Sequence, residues 1–346
     1  MAYNYWVEEL DLLAPSTRDT HLHYFNLFIG WLGVDAEELY NWQRRLVDDG
    51  DPRSNRELVN KFREWGRLMM KREGWGGGTV LRASYAVKSF FAANALVFPI
   101  KPRDIPKFSS SGARVVLLDE IRVLVDRVAG EHRVRNRALL MMLKDTGLRR
   151  SDVSRLDVGD YLGARVVGDG FRVIDEYTTK KTGELAWVHM GPEACEAVDL
   201  YLGDRDRGPL FLNRDGVRMY EGILTSTVIR CARRHLENPH RVSPHSFRKF
   251  HRTALEAVIP ESYVKKLQGK STDPYIHPEQ TGELTEAYVK HYDVLRVFRD
   301  KQRIDELEQL VEDERVERYS LEDKINFLAR RLDVKDILDK LEKEKP

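Results

Sequence analysis

Residues 146–156, "TGLRRSDVSRL", place Arg149, Arg150 and Arg155 directly behind the apolar run at 139–143. A tight Thr-Gly turn after a buried helix therefore aims Arg149 beside the core. Two further basic elements lie downstream. "FRVIDEYTT" and "LAWVHM" have the composition of strands and are joined through "KKTGE", which puts Lys180 and Lys181 at a hairpin tip. "SPHSFRKFHRTAL" carries His245 and Arg248 three residues apart, and on a helix positions i and i+3 share a face. Two guanidiniums, an imidazole and an ammonium around one spot suit a phosphate, whose oxygens a guanidinium fork grips bidentately. Each element alone has an ordinary reading as a solvated charge, and the weight lies in their occurrence together and in order.

Outward from this cluster the chain divides by composition. Its 346 residues, 42% of them hydrophobic, suffice for two domains and an appendage. Residues 1–98 have the periodicity of a helical unit. Ser16 and Thr17 are capping candidates ahead of Leu22, Phe25, Ile29 and Leu32, and Asp35 and Glu38 stand at capping-box spacing ahead of Leu39, Trp42 and Leu46. Leu58, Phe62, Trp65 and Met69 line a third helix, and a fourth runs over about 79–96. Lys61, Arg67, Lys71, Arg72, Arg82 and Lys88 lie on or around the last two helices, either as a solvated basic face or as phosphate contacts. Residues 99–113, with three prolines and a Ser-Gly stretch, have the composition of a linker. Residues 114–298 are expected to form a mainly α domain with a small antiparallel sheet. Residues 299–346 carry a heptad of Ile304, Leu307, Val311, Leu321, Ile325, Leu328 and Leu332, interrupted in phase by Glu314 and Arg318, as in a coiled-coil-like helix for oligomerisation.

Charge and cysteine usage narrow the classes. The formal charge is +1, but residues 299–346 hold 12 Lys/Arg against 15 Asp/Glu, which leaves +4 on residues 1–298, a balance that permits a polyanion partner. Cys195 and Cys231 form no CxxC pair, so no disulfide framework or cysteine zinc site is indicated, and a reducing cytoplasm fits. The apolar stretches are short, and no basic n-region precedes an apolar h-region, so neither a membrane span nor export is expected. A charged fraction of 33% with 10 Asn and 5 Gln is a bias seen in heat-adapted proteins.

The three boxes resemble the tyrosine recombinase (phage integrase) family. Its first box, T-G-x-R-x-x-[ED]-x-x-x-L, is matched by Thr146, Gly147, Arg149, Asp152 and Leu156, and its second, H-x-x-R, by "PHSFR". Its hairpin lysine is matched best by Lys181, before Thr-Gly, with Lys180 as the alternate. The resemblance covers residues 114–298 by motif and the N-terminal domain by layout. It implies an α-helical core-binding domain, a catalytic domain and site-specific cleavage and rejoining of double-stranded DNA through a 3'-phosphotyrosyl link, without metal or ATP. Arg149 and Arg248 would hold the non-bridging oxygens, His245 would add a hydrogen bond or move a proton, Lys181 would protonate the leaving 5' oxygen, and Asp152 would orient an arginine. The nucleophile would be Tyr275 in "GKSTDPYIHP", with Tyr288 and Tyr292 as alternates that also have the spacing of packing aromatics. Two positions depart from the family pattern: Lys249 stands where a second histidine is usual, and Lys270 where a Gly-His or Gly-Trp pair normally stands. His251 and His291 are expected to be structural or surface residues. A dimer on each DNA site and a tetramer in synapsis are implied. A type IB topoisomerase-like nicking-closing enzyme and a catalytically silent DNA-binding relative share the constellation.

Overall fold

The computed structural model describes residues 1–51, 53–107, 112–130, 132–270, 277, 279, 282–298 and 324. The chain divides into two compact units, Met1–Ser111 and Gly112–Pro346. The heptad run lies outside the described residues.

In the first unit, α1 (Ala2–Asp11), α2 (Pro15–Leu32), α3 (Ala36–Asp48), α4 (Glu57–Arg72) and α5 (Gly77–Ala93) enclose an aromatic core. Trp6, Phe25, Phe28, Phe62, Trp65, Phe90 and Phe91 are all buried. The Trp6 and Phe25 rings lie 4.6 Å apart and those of Phe28 and Trp65 5.2 Å apart, within the range at which aromatic pairs add to simple burial. Ser16 and Thr17 do not cap α2. The helix begins at Pro15 with Ala14 as its N-cap, because proline's fixed φ and missing N–H suit the first helical position. Asp35 and Glu38 form the expected reciprocal box on α3, at 2.8 and 2.9 Å. The start of the proline-rich stretch is not linker. Phe98, Ile100 and Ile105 are buried in this core, and Arg56 donates to Pro99 O (3.2 Å) and pairs with Asp104 (2.6 Å), so the segment is held by packing and by charge.

The second unit is mainly helical with a small antiparallel sheet. Its helices are α6 (Leu118–Arg127), α7 (Arg133–Thr146), α8 (Arg150–Arg155), α9 (Val158–Leu162), α10 (Pro192–Leu202), α11 (Glu221–His235), α12 (Pro244–Glu256), α13 (Glu261–Leu267) and α14 (Glu283–Lys290). The sheet order is β1 (Arg165–Val167), β2 (Phe171–Thr178), β3 (Leu185–Met190), antiparallel throughout, with a bulge between Ile174 and Tyr177. β1 is absent from the sequence-based expectation because three residues carry too little pattern to be read as a strand.

α7 is the central beam, buried from Arg137 to Thr146. Near its end the fully buried Lys144 donates to Leu295 O (2.8 Å) and pairs with Asp145 (2.6 Å) and Glu193 (2.9 Å). Glu193, on α10, accepts the backbone N–H groups of Val297 (2.9 Å) and Phe298 (2.6 Å), and Asp145 accepts that of Gly191 (2.9 Å). This network fastens residues 295–298 to α7 and α10. Breaking one member of a buried ion network leaves an uncompensated charge, so Lys144→Met should cost about 3–5 kcal/mol. The fall in urea midpoint measures this, and a loss below about 1 kcal/mol would show that the network does not hold the segment.

Candidate active site

The turn that ends α7 sets the site. Thr146 Oγ1 donates to Met142 O (2.7 Å) and accepts the Leu148 N–H (3.3 Å). Gly147 has φ 56°, a left-handed backbone that ends the helix at no steric penalty for glycine. No side chain fits there, since a Cβ would stand 2.5 Å from His251 Nδ1 and 3.0 Å from Gln268 Nε2. The chain then resumes as α8 with the half-buried Arg149 as its N-cap.

Arg248, on α12, is 5% exposed. Its Nη1 donates to Gly147 O (2.8 Å) and its Nη2 to Gln268 O (3.0 Å). Burial and the neighbouring Arg149 charge push its pKa down to about 10, with Asp152 opposing, so it stays protonated at neutral pH. Nη1 of Arg149 is itself buried, with no hydrogen-bond partner among the described residues. His245, one turn before Arg248, is exposed; its pKa is lowered by burial and then by the charges of Lys249, Arg248, Lys270 and Arg149. Lys270, just past α13, is pushed down to about 8 by burial and by Arg252, Arg248 and Arg149, with Glu256 opposing. Arg149, His245, Arg248 and Lys270 are thus gathered into one cationic cluster. Lys249 turns its ammonium to Ala113 O (2.6 Å).

The hairpin is attached to this cluster by its backbone. Asp152, fully buried on α8, accepts the Lys180 backbone N–H (2.8 Å), while its own carbonyl accepts Tyr177 OH (3.1 Å). These bonds stitch the hairpin to α8, and the Asp152 charge also acts on Arg248. The Lys180 ammonium pairs with Glu221 (2.9 Å), a carboxylate shared with Arg150 (3.5 Å), whereas Lys181 is exposed at the tip with no hydrogen bond or ion pair to any described residue. The base of the hairpin meets the segment after α13. Gly269 has φ 57°, and a Cβ there would lie 2.4 Å from Thr179 Cγ2.

The three tyrosines separate. Tyr275 lies outside the described residues. Tyr288 and Tyr292 are core residues whose hydroxyls donate to Asp145 O (3.1 Å) and Asp145 Oδ2 (3.0 Å). Burial first, then the nearby Asp145 and Glu193 carboxylates, hold both phenols well above their ordinary pKa, the opposite of what a nucleophile needs. Lys61, Arg67, Lys71 and Arg72 on α4, and Arg82 and Lys88 on α5, are all exposed. Among the described residues no group of three or more His, Cys, Asp or Glu side chains could hold a metal ion, and no helix is long and apolar enough to cross a membrane.

Gln268, His251 and Glu221 were not singled out as site residues from sequence. Gln268 Nε2 donates to both Arg248 O (3.1 Å) and His251 Nδ1 (3.1 Å), which places the His251 proton on Nε2. Burial pushes His251 down to about 3 and His189 to about 4, from an ordinary 6.5. Below pH 6.5 the unfolded chain therefore binds protons at both histidines that the folded chain refuses. The linked stability is lost progressively as pH falls from 6.5 toward 4 and then 3. NMR titration should show neither ring changing charge between pH 5 and 8; a midpoint near 6.5 for either would contradict its burial.

Residues 114–280 match the model of the phage integrase family. The chain is 32% identical over 200 residues to tyrosine recombinase XerD of Mycobacterium leprae, covering 52% of this chain and 58% of that one. It is 32% identical over 101 residues to tyrosine recombinase XerC of Herpetosiphon aurantiacus, covering 27% and 33% respectively. The chain thus spans less than two thirds of the length of either relative. A solved structure of the Tn1549 transposon integrase in complex with transposon right end DNA has a similar fold, with TM-score 0.50 at 15% identity over 84% of this chain and 99% of that one.

Proposed function

From the match of residues 114–280 to the phage integrase family model, we propose that the chain is a site-specific DNA recombinase that cleaves and rejoins duplex DNA through a 3'-phosphotyrosyl intermediate. The observation that carries this reading is the paired arginine geometry. Arg248 is fixed by two carbonyls, which leave its charge intact, and beside it Arg149 has a buried donor with no partner among the described residues. Such a pair suits the non-bridging oxygens of a phosphodiester, whose charge grows at the equatorial oxygens in the transition state.

The chemistry follows from the neighbours. The Tyr275 phenolate attacks phosphorus and forms the phosphotyrosyl bond as the bond to the 5' oxygen breaks. The departing oxygen takes a proton from Lys181, the free lysine at the hairpin tip, with Lys180 engaged by Glu221 as its alternate. Attack by the freed 5' hydroxyl of a recombining strand reverses these bonds. His245, with its pKa lowered, is neutral at pH 7 and can donate a hydrogen bond or pass a proton. Lys270, near 8, adds a donor whose charge is sensitive to pH. The exposed cations of α4 and α5 supply phosphate contacts that strengthen binding without reading sequence, so affinity falls steeply with salt. The protein acts in the cytoplasm, where its DNA partner lies, as a dimer on each site and a tetramer in synapsis.

With a nicked suicide duplex, wild-type protein should give a covalent adduct stable in denaturing gel, and Tyr275→Phe should bind the DNA without one. An adduct mapping to Tyr288 or Tyr292 would overturn the assignment, and binding by wild type with no adduct would identify a silent relative instead. The heptad at 304–332 supports synapsis in this reading. Removal of residues 303–346 should weaken two-site assembly while sparing single-site cleavage, and unchanged assembly by gel filtration of the DNA complex would sink that role.

A further inference from the structure

We infer that Gln268 is a positioning residue that holds the Arg248 guanidinium in its phosphate-facing pose, a role that rests on the recombinase reading above. The two residues clasp each other in both directions. Arg248 Nη2 donates to the Gln268 main-chain carbonyl at 3.0 Å, and the Gln268 side-chain amide donates back to the Arg248 main-chain carbonyl at 3.1 Å. The second amide proton goes to His251 at 3.1 Å, and His251 lies over the Gly147 turn, whose carbonyl takes the other arm of Arg248 at 2.8 Å. The result is a chain of hydrogen bonds from Gly147 through Arg248 and Gln268 to His251, which packs back against the Gly147 turn, with all three side chains buried.

The clasp fixes a direction. A guanidinium carries five N–H donors in a rigid fork. One donor on each of Nη1 and Nη2 goes to a carbonyl, which fixes the plane of the fork and leaves its remaining donors for a ligand. The Gln268 carbonyl can fix that plane only if it is itself held. Gln268 is the C-cap of α13, where its N–H still bonds to Val264 O (3.1 Å) but its carbonyl is turned to Arg248, and its side-chain tether to α12 adds a second hold. The same backbone continues through Gly269 against Thr179 at the hairpin base and into Lys270, so one side chain registers an arginine, the hairpin and a lysine together.

The test is a double-mutant cycle on single-turnover cleavage of the nicked duplex, with DNA binding and melting temperature measured alongside. Gln268→Met keeps the main-chain carbonyl and the volume but removes the amide. In the wild-type background it should slow cleavage by about 30-fold or more, with DNA affinity changed less than threefold, as expected for a misplaced donor. In the Arg248→Lys background the same change should cost little, because the fork it aligns is gone. Cleavage within threefold of wild type, or an equal loss in both backgrounds, would overturn the role. Should Gln268→Met fail to fold, Gln268→Glu, which turns the donor into an acceptor at the same size, is read by the same cycle. Absence of an adduct from the wild-type protein would count against the recombinase reading, whereas an active wild type with an indifferent Gln268 would count against the clasp alone.

Discussion

The site depends on a buried arginine whose hydrogen bonds run to carbonyls and not to carboxylates. Burying a charge carries a large desolvation penalty unless its hydrogen bonds are satisfied. A carboxylate would satisfy Arg248 and also cancel it; the carbonyls of Gly147 and Gln268 satisfy it and leave the full positive charge in place. Lys249 is treated in the same way by Ala113 O. The charges then accumulate, and together with burial, the larger cause, they lower the pKa of His245 and Lys270. A cluster of cations opposed only in part, by Asp152 at Arg248 and Glu256 at Lys270, is unfavourable by itself and becomes favourable with a polyanion bound.

Elsewhere in the same unit the opposite arrangement serves architecture. Lys144 lies among Asp145, Glu193 and the Leu295 carbonyl, and its charge is cancelled on the spot. The two arrangements adjoin in sequence, because Asp145 directly precedes the Thr146–Gly147 turn. Tyr288 and Tyr292 hydrogen-bond to Asp145 from the segment leading to residue 298. Fastening of that segment and placement of the arginines thus share one short stretch of backbone.

Much of this was legible in the sequence because it depends on local pattern. The hairpin follows from two runs of strand-forming residues around "KKTGE", the α3 cap from Asp35 and Glu38, and the arginine boxes from residue type and spacing. The unread parts depend on contacts across long separations. Asp152 has the look of an arginine's partner in "RRSDV", and its Oδ1 also accepts a backbone amide 28 residues on that no local pattern marks. Gln268 sits in "KLQGK" with nothing to mark it, and its partner is 20 residues upstream. Tyr288 and Tyr292 were readable both as reactive and as packing groups, and the core position that separates these readings comes from α7 and α10, not from their own neighbours. The packed stretch at 99–105 falls in the linker expected over 99–113 because its proline content outweighs the two isoleucines that anchor it.

The two glycines behind the cluster carry a consequence for mutational tolerance. Gly147 and Gly269 offer no side chain to a ligand, yet each stands where a methyl group would collide, one with His251 and the other with Thr179. Both also have a backbone that side-chain-bearing residues rarely adopt. Selection for activity would therefore fall on these positions as heavily as on the arginines. A map of intolerant sites on this protein would outline the scaffold that aims the cations as well as the surface that meets DNA, and the two would be told apart by which substitutions lose folding along with turnover.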